Sequence, residues 1–378
     1  MNPEFLKAVK DGQGYKASSR DEPIGIVNLH DLEKQAEKSM LPGPFGYYRS
    51  GCEDEYTLRR NIQCFETKHS ELRVLRKVES VDTSTKFFGI PLSMPIIQCP
   101  NASQRLAHVE GEVATARACS NLNTIFTLSA LGTATIEESA AAAPGAPQFF
   151  QLYLSKNDDF NKFTLGIAKK VGIKAIVLTA DAIVGGYRED DIRNNFVFPF
   201  PLANYAAYAA QSEVGSDAGS TISEVFAAAK QALEPSDIAK IKEWSGGLPV
   251  LVKGVQTPED AAVAIGAGAD GIWVSNHGGR QMDGAPGSFE CLEAIAKVVN
   301  KEVPIVFDSG IRRGSHVYKA LAAGADVVAI GRPVLYGLHL GGSKGVESVY
   351  KHLQKELIIN MYMGGTQTIE DVKNVKLS

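Results

Sequence analysis

The feature that most constrains the fold of this chain is a repeated alternation, from about residue 95 onward, between short apolar runs and longer stretches with helical spacing. The apolar runs are rich in β-branched residues, which is typical of buried parallel strands. Eight strands that alternate with helices predict an α/β fold of the (β/α)8 barrel type, and an open doubly wound sheet is the structural alternative. The eight runs occupy residues 94–97, 124–128, 149–153, 175–179, 250–253, 271–274, 305–308 and 327–330.

The helical stretches and the remaining segments complete this prediction. Helices are expected at residues 112–121, 257–267 and 314–323. Residues 1–90 are interpreted as a helical extension packed on the barrel, with a helix start at Asn28, and we expect one domain over residues 1–378, with the barrel at 91–378. The spacing breaks once, after the fourth strand, between Asp181 and Pro249. The alanine- and serine-rich stretch 203–221 within this insertion is expected to be a long loop over the site.

The composition excludes several classes of function. The chain has 378 residues and a formal net charge of −4, so no basic field favours nucleic acid or an acidic membrane surface. Five cysteines are scattered without a CxxC pair, and no segment is apolar and long enough for export or a membrane span. The seven histidines lack the spacing of metal ligands. We therefore expect a cytoplasmic protein that acts on a small molecule without a metal ion.

The sixth apolar run is followed directly by the heptapeptide SNHGGRQ, residues 275–281. The imidazole of His277 can take up a proton near neutral pH, and the guanidinium of Arg280 can bind a carboxylate through two parallel hydrogen bonds. The glycines between them allow the backbone to turn sharply and to lie close to a flat ligand. This heptapeptide predicts chemistry on a small hydroxy or amino acid.

Polar residues follow seven consecutive strands at their carboxyl ends, where barrels of this type carry their active sites. Any single one is most simply a satisfied core or surface residue, but their recurrence favours a shared site. In chain order they are Ser129, Gln151, Tyr153, Thr179, Asp181, Lys253, Ser275, His277, Arg280, Asp308, Arg312, Gly331 and Arg332.

Two of the segments at the strand ends are suited to a phosphate group. Residues 308–314 (DSGIRRG) and 331–333 (GRP) combine glycines, which expose backbone N–H groups, with arginines. Two tight turns with solvated arginines are the plainer interpretation. No G-x-G-x-x-G follows an early strand and no Walker loop is present, which favours a phosphorylated mononucleotide such as flavin mononucleotide (FMN). Lys253, if it is not a surface or Schiff-base lysine, is suited to face a delocalised anion such as a reduced flavin.

The motifs of residues 150–153 (FQLY), 178–181 (LTAD), 275–281, 308–314 and 331–333 together resemble those of the FMN-dependent 2-hydroxy acid oxidases. The resemblance extends from about residue 26 to residue 372, and the stretch 303–341 is most similar to the bacterial L-lactate oxidases of that family. It implies oxidation of an L-2-hydroxy acid, with L-lactate the expected substrate, O2 the acceptor and H2O2 a product. A homotetramer is implied as well. Glycolate or a longer 2-hydroxy acid, a monooxygenase reaction and a non-catalytic flavin-binding protein remain the alternatives.

The resemblance also implies a role for each site residue. His277 is expected to be the base and Asp181 to stabilise its imidazolium form, whereas a simple turn residue is the other interpretation of Asp181. Tyr47, Arg188 and Arg280 are expected to hold the substrate carboxylate, and Tyr153 the reacting oxygen. The residues expected to contact FMN are Pro100, Asn101, Ala102, Ser129, Gln151, Thr179, Lys253, Ser275, Asp308, Ser309, Gly310, Ile311, Arg312, Gly331 and Arg332.

Four positions depart from what the resemblance leads us to expect. Leu131, Phe198 and Phe226 stand where hydroxyl-bearing or larger aromatic residues are expected near the substrate, and Ala102 stands where a glycine is found in some relatives. These residues predict a more apolar pocket with limited room for a bulky aromatic substrate. A small apolar side chain such as the methyl group of lactate fits this prediction.

Overall fold

The segment before the barrel contains three α-helices, a short 3-10 helix (Cys64–Thr67) and a hairpin in the computed structural model, which describes residues 15–212 and 222–378. The helices are α1 (Leu29–Glu37), α2 (Pro42–Arg49) and α3 (Tyr56–Gln63), and the side chain of Asn28 caps α1 as predicted. The hairpin consists of β1 (Thr85–Phe87) and β2 (Ile90–Leu92). The prediction of a purely helical extension is wrong at this hairpin. Phe88 and Gly89 both have positive φ (49° and 74°), which is the backbone of a tight two-residue hairpin turn.

Eight parallel strands form the barrel and confirm the predicted (β/α)8 fold. They are β3 (Ile96–Gln98), β4 (Phe126–Ser129), β5 (Gln148–Leu152), β6 (Ala175–Thr179), β7 (Val250–Val255), β8 (Gly271–Val274), β9 (Ile305–Phe307) and β10 (Val327–Ile330). Neighbours in the sheet follow the order β3-β10-β9-β8-β7-β6-β5-β4. The two ends of this order meet, because the backbone N–H of Gln98 donates to the carbonyl oxygen of Ile125 at 3.0 Å. The barrel is therefore the observed architecture, and the open-sheet alternative is excluded.

The hairpin closes the amino-terminal end of the barrel. Its residues Phe87 and Leu92 pack in one buried cluster with Ile97, Phe149 and Trp273, whose side chains fill the barrel interior. All five side chains are at most 2% exposed. A filled interior leaves the carboxyl ends of the strands as the face on which a cleft can form.

Helices surround the strands at the positions expected from the sequence. Those predicted at 112–121, 257–267 and 314–323 are observed within one residue at each end. In chain order the helices are α4 (Glu112–Asn121), α5 (Ile136–Ala142), α6 (Asp158–Val171), α7 (Glu189–Arg193), α8 (Ala203–Ser212), α9 (Ile222–Ala227), α10 (Ser236–Trp244), α11 (Pro258–Gly266), α12 (Ser288–Val299), α13 (Gly314–Ala322), α14 (Arg332–Gly364) and α15 (Ile369–Lys373).

Helix α6 shows why these segments are helical. The Asn157 side chain accepts from the backbone N–H groups of Asp159 and Phe160 at 3.0 and 3.1 Å, which satisfies two donors at the start of the helix. Acidic residues occupy its first turn and lysines its last turn, as the helix dipole favours. Gly172, with φ of 86°, ends the helix in the left-handed conformation.

The insertion after β6 is present, but part of it is not the expected loop. Residues 203–212 form α8, and the rest of the predicted loop, 213–221, lies outside the described residues. Five of the ten residues of α8 are alanine, the strongest helix former. Tyr205 of α8 stacks on Phe160 of α6, with ring centroids 4.2 Å apart, and this packing holds α8 against the barrel.

Candidate active site

A cleft opens at the carboxyl end of the barrel, with a volume of about 980 Å³ that includes the open solvent at its entrance. It brings most of the predicted site residues together, whereas Gln151, Asp181 and Ser275 lie behind its surface. The predicted residues that line it are Tyr47, Pro100, Asn101, Ala102, Ser129, Tyr153, Thr179, Arg188, Lys253, His277, Arg280, Asp308, Ser309, Gly310, Ile311, Arg312, Gly331 and Arg332.

His277 and Asp181 form a hydrogen-bonded pair between the loops that follow β8 and β6, on either side of β7. The Nδ1 atom of His277, three residues past β8, lies 3.0 Å from Oδ1 of Asp181, two residues past β6. The backbone N–H of His277 donates to the Ser275 hydroxyl at 3.0 Å, and its φ of 58° directs the side chain across the loop. On the other side of the ring, Nε2 lies 3.5 Å from the hydroxyl oxygen of Tyr153. With Nδ1 held by a carboxylate, Nε2 is the atom that can accept a proton from a molecule in the cleft.

The surroundings of this pair favour a neutral imidazole beside an ionised carboxylate. Burial lowers the pKa of His277, and the ammonium of Lys253 adds to this effect, whereas Asp181 opposes it. Burial opposes ionisation of Asp181, but the charges of His277 and Lys253 hold the pKa of this carboxyl below its usual value. The imidazole is thus ready to act as a base at neutral pH, and the carboxylate can stabilise the charge that the ring then acquires.

The variant Asp181→Asn tests this arrangement through the pH dependence of catalysis. The charge and the hydrogen bond of Asp181 raise the pKa of His277, so their loss lowers that pKa further. A base must be neutral to act, so we expect the acid limb of the kcat/KM profile to move to lower pH. On the plateau, kcat falls by about 10- to 100-fold, equivalent to one or two pKa units of lost imidazolium stabilisation. Steady-state rates between pH 4 and 9 measure both effects, and an acid limb that moves to higher pH would contradict them.

Two arginines flank one tyrosine in the wall of the cleft. The guanidinium carbons of Arg280 and Arg188 lie 5.2 and 5.7 Å from the ring centroid of Tyr47. Arg280 also donates to the carbonyl oxygen of Ser50 at 2.9 Å, and Arg188 lies 3.6 Å from the carboxylate of Asp191. The side chain of Arg188 is only 5% exposed, and its Nε has no hydrogen-bond partner in the described part of the chain. Two desolvated cations with donors to spare can bind a carboxylate.

A chain of hydrogen bonds joins three polar side chains along the first strands of the site. The hydroxyl of Ser129 donates to Gln151 Oε1 at 3.0 Å, and Gln151 Nε2 donates to the hydroxyl oxygen of Thr179 at 2.9 Å. The backbone N–H of Ala130 also donates to Gln151 Oε1, at 3.2 Å. These bonds fix a row of donors and acceptors at one level of the cleft, which suits the polar edge of a planar ring.

Asp308 is the centre of a buried polar cluster beneath this row. Its Oδ1 accepts from the hydroxyls of Ser275 and Ser309 at 2.6 and 2.7 Å, and its Oδ2 accepts from the indole N–H of Trp273 at 2.8 Å. The ammonium of Lys253 lies 3.7 Å from Oδ2 and donates to the Ser275 hydroxyl at 3.0 Å. Burial works against the charge of Lys253, but Asp308 and Asp181 raise its pKa above the usual value. Lys253 is therefore a fixed cation at the surface of the cleft.

The loop after β9 and the start of α14 provide the features of an anion site. Ser309 and Gly310 have φ of 83° and 84°, so the backbone makes a tight left-handed turn here. The first turn of α14 begins beside them at Arg332, and this helix is kinked farther along, at Gly341 and Gly342, whose backbone is not helical. Arg312 is buried and Arg332 is half-buried, and within residues 15–212 and 222–378 neither forms an ion pair with a carboxylate. Burial and the positive charges of Arg280 and Arg312 lower the pKa of Arg332 to about 9.

The guanidinium of Arg332 has a structural task in addition. It donates to the carbonyl oxygens of Tyr48, Gly278 and Ser50, each at 3.0 Å. Arg332 thereby links the carboxyl end of α2 to the loop that carries His277. The sequence predicts only a phosphate contact for Arg332, because its motif contains no sign of these three distant carbonyl groups.

The variant Gly310→Ala tests the shape of the loop after β9. A Cβ at this position would overlap the backbone carbonyl of Asn61, and the φ of 84° is itself unfavourable for alanine. We expect Gly310→Ala to lower the free energy of unfolding by about 1–3 kcal/mol more than Gly145→Ala does. Gly145 is the matched control, since its φ is 76° and nothing lies within 4 Å of its added Cβ. Urea unfolding measures the difference, and equal losses for the two variants would contradict the clash.

The four residues that differ from what the family resemblance predicts lie at different distances from the cleft. Ala102, Leu131 and Phe226 line it, and the ring of Phe226 packs edge-on against Tyr153 with centroids 5.3 Å apart. Phe198 does not line the cleft but packs behind Tyr47, at 5.4 Å. The apolar lining is thus provided by three of the four residues, whereas Phe198 supports a tyrosine from behind.

Sequence reasoning missed several residues that line the cleft. Tyr48 and Cys99 stand next to the predicted Tyr47 and Pro100, so adjacency was a usable signal. Gly278 belongs to the heptapeptide itself, and an added Cβ there would meet Arg332 at 2.7 Å. Leu335 lies one turn into α14, and its place in the cleft carried no signal before the helix was located.

The barrel has the architecture of a flavin-dependent enzyme. It combines a histidine base that a carboxylate holds, a row of polar side chains that suits a planar ring, a fixed ammonium group and a loop suited to phosphate. Comparison with known proteins agrees with this class. The chain belongs to the FMN-dependent dehydrogenase family, which it matches over residues 36–378.

Relatives with assigned activities cover almost the whole chain. An L-lactate oxidase of Lentilactobacillus hilgardii is 51% identical over 96% of this chain and 97% of its own length. An L-lactate oxidase of Lactobacillus jensenii is 47% identical over 97% of this chain and 88% of its own length. The solved structure of a Pediococcus acidilactici protein assigned as a lactate oxidase has a TM-score of 0.91 and 52% identity, covering 96% of this chain and 97% of the other.

The residues of this chain fit the cofactor of the family. The guanidinium groups of Arg312 and Arg332, which have no carboxylate partner among the described residues, suit the phosphate of FMN together with the left-handed turn at Ser309 and Gly310. The row that ends in Thr179 and the ammonium of Lys253 suit the polar edge of its ring. FMN is thus the cofactor for which the cleft is built.

Across the described helices, none is both long and apolar enough to cross a membrane. Within the same residues, no group of three or more His, Cys, Asp or Glu side chains is placed to hold a metal ion.

Proposed function

We propose that this protein oxidises L-lactate to pyruvate and passes the two electrons to O2, with release of H2O2. The observation that carries this proposal is the pair of His277 and Asp181, 3.0 Å apart, in the same cleft as the two arginines that flank Tyr47. The L-lactate oxidases that are similar over nearly the full length of the chain support the choice of substrate. When bound, FMN supplies a ring that accepts two electrons from the substrate and gives them to oxygen.

The side chains divide the work on the substrate as follows. Arg280 and Arg188 bind the carboxylate and so fix the orientation of the carbon that is oxidised. His277 Nε2 takes up a proton from the substrate, and Asp181 stabilises the imidazolium through the bond to Nδ1. The hydroxyl of Tyr153, 3.5 Å from Nε2, donates to the substrate oxygen. Leu131 and Phe226 line the remaining wall, and they suit a small apolar group such as the methyl of lactate.

An anaerobic titration of the purified holoprotein tests this function. We expect L-lactate to bleach the flavin absorbance, D-lactate to leave it unchanged, and admission of air to restore it with one H2O2 per flavin. Pyruvate is then measured with catalase present, because H2O2 itself converts pyruvate to acetate and CO2. A flavin that L-lactate leaves oxidised would overturn the proposal.

Two of the alternatives are outcomes of the same titration. Bleaching by glycolate or a longer 2-hydroxy acid in preference to L-lactate would correct the substrate. Acetate and CO2 formed in the presence of catalase would show a monooxygenase reaction. Bleaching by none of the acids would favour a non-catalytic flavin-binding protein, an alternative that the intact pair of His277 and Asp181 opposes.

The assembly and location complete the proposal. We infer a homotetramer and a cytoplasmic enzyme, with residues 1–378 acting as one domain. Scattered cysteines without a disulfide framework support a reducing compartment, and all five are unpaired in the structure. Light scattering after size-exclusion chromatography measures the assembly, and a mass near 40.5 kDa, that of one chain, would exclude the tetramer.

A further inference from the structure

Gln281, the last residue of the heptapeptide, holds the backbone of the loop after β6. Its Nε2 donates to the carbonyl oxygen of Asp181 at 2.9 Å and to the carbonyl oxygen of Val184 at 2.9 Å. Both hydrogens of the amide are thereby used. Its Oε1 is buried, with no hydrogen-bond partner in residues 15–212 and 222–378. Both donors of the side chain thus bind the loop after β6, while its buried oxygen stays unpaired. The contact of Gln281 with this loop is therefore its main hydrogen-bonding role.

The two loops are in direct contact next to these bonds. A Cβ on Gly186 would overlap the carbonyl oxygen of Arg280 and the sulfur of Cys52. The backbone of the loop after β6 therefore lies on the backbone of the heptapeptide without a side chain between them. This contact places the Gln281 amide within reach of the carbonyl groups that it bonds.

The part of the loop that follows has other anchors. The carbonyl oxygen of Tyr187 accepts from the backbone N–H of Glu53 at 3.0 Å. The carbonyl oxygen of Arg188 accepts from the N–H of Ile192 at 3.3 Å, as the first turn of α7 begins. Arg188 is thus held through α7 and the segment after α2, whereas Gln281 acts on the stretch that contains Asp181.

We propose that Gln281 is a positioning residue, which acts on the reaction by holding the Asp181 carboxylate against His277. The inference rests on the proposed function, since it assigns to Gln281 a part in the same proton transfer. The charged and titratable groups that face His277 are Asp181 from the loop after β6, Lys253 from β7, Tyr153 after β5 and Arg280 from its own loop. Among these, Gln281 is bonded to the backbone of Asp181.

The variant Gln281→Met keeps the length of the side chain and removes both hydrogen bonds. We expect kcat for L-lactate to fall by about 5- to 20-fold, while KM stays within about threefold because Arg188 keeps its own anchors. The acid limb of the kcat/KM profile moves to lower pH, the direction expected when Asp181 leaves His277. Gln256→Met is the matched control, since Gln256 also bonds a backbone carbonyl near the same end of the barrel, that of Pro286 at 3.5 Å. We expect Gln256→Met to leave both kcat and the acid limb of the kcat/KM profile unchanged.

Two further measurements separate this role from general loosening and from failure of the proposed function. In the Asp181→Asn background, Gln281→Met has less than about a twofold effect on kcat, because a residue that acts through Asp181 has nothing left to position. NMR titration of the holoprotein labelled with ¹⁵N-histidine follows the His277 pKa without turnover, and we expect Gln281→Met to lower it. Gln281→Leu, which also removes both donors and adds no charge, gives the same shift if Gln281→Met does not fold.

Three results would overturn the inference. They are an unchanged His277 pKa by NMR, a kcat of Gln281→Met equal to that of the parent, and equal losses in Gln281→Met and Gln256→Met. If the parent holoprotein is inactive toward every 2-hydroxy acid, the proposed function fails, and the NMR titration still decides whether Gln281 positions Asp181.

Discussion

Replacement of His277 by glutamine is expected to lower the rate of flavin reduction by L-lactate by about 100- to 10,000-fold, the usual contribution of a general base. Glutamine nearly matches the imidazole in volume and can donate to Asp181, but it cannot take up a proton from the substrate. The loop after β9 and the hydrogen-bonded side chains of Ser129, Gln151 and Thr179 do not depend on His277, so we expect the variant to retain FMN. Stopped-flow bleaching under anaerobic conditions measures the rate.

His69→Gln is the matched control for this variant. His69 is exposed and lies outside the residues that line the cleft, so the same substitution leaves the rate unchanged. A rate for His277→Gln within about threefold of the parent would remove His277 from the role of base. Loss of FMN in the variant would instead assign His277 to cofactor binding.

Replacement of Arg280 by methionine is expected to lower kcat/KM for L-lactate by about 30-fold to several thousand-fold, the range for a buried, hydrogen-bonded charge pair that loses one partner. The loss appears in KM as well as in kcat, because the contact between Arg280 and the substrate carboxylate both binds and orients the substrate. Arg280→Lys keeps the charge but not the paired donors, so we expect an intermediate value. Steady-state kinetics over a wide range of lactate concentration measures both parameters.

Arg193→Met provides the comparison for this loss. Arg193 lies on α7 near the same end of the barrel, but its side chain is 69% exposed and pairs with Glu189 on the surface. Exposed pairs of this kind contribute little, so kcat/KM stays within about twofold of the parent. An effect of Arg280→Met no larger than that of Arg193→Met would mean that the substrate carboxylate is bound elsewhere.

The sequence allowed the barrel and most of the site to be predicted, because both follow from local patterns. β-Branched runs locate strands, and the end of a strand locates the active face, so Lys253 and His277 could be assigned before their neighbours were known. Asp181 and His277 are 96 positions apart in the chain, and their contact followed from the family resemblance rather than from spacing.

What could not be predicted depends on contacts between distant segments. The three carbonyl groups that Arg332 bonds come from two other parts of the chain, and backbone carbonyls leave no mark in a sequence. The hairpin before the barrel is short, and its turn is Phe88-Gly89 rather than a typical Asn-Gly pair. The helix α8 was missed because serine and glycine at 212–220 outweighed five alanines in the interpretation of the segment.

The hairpin that closes the amino-terminal end of the barrel has a consequence for the order of chemical events. Among the described residues, Phe87, Phe149 and Trp273 fill the barrel interior, so the cleft exchanges its contents at the carboxyl end. In the proposed reaction, lactate, pyruvate, oxygen and peroxide therefore enter and leave on the same side of the protein. Pyruvate release and oxygen entry therefore take place through the same opening. Their order decides whether the products are pyruvate and peroxide or acetate and carbon dioxide.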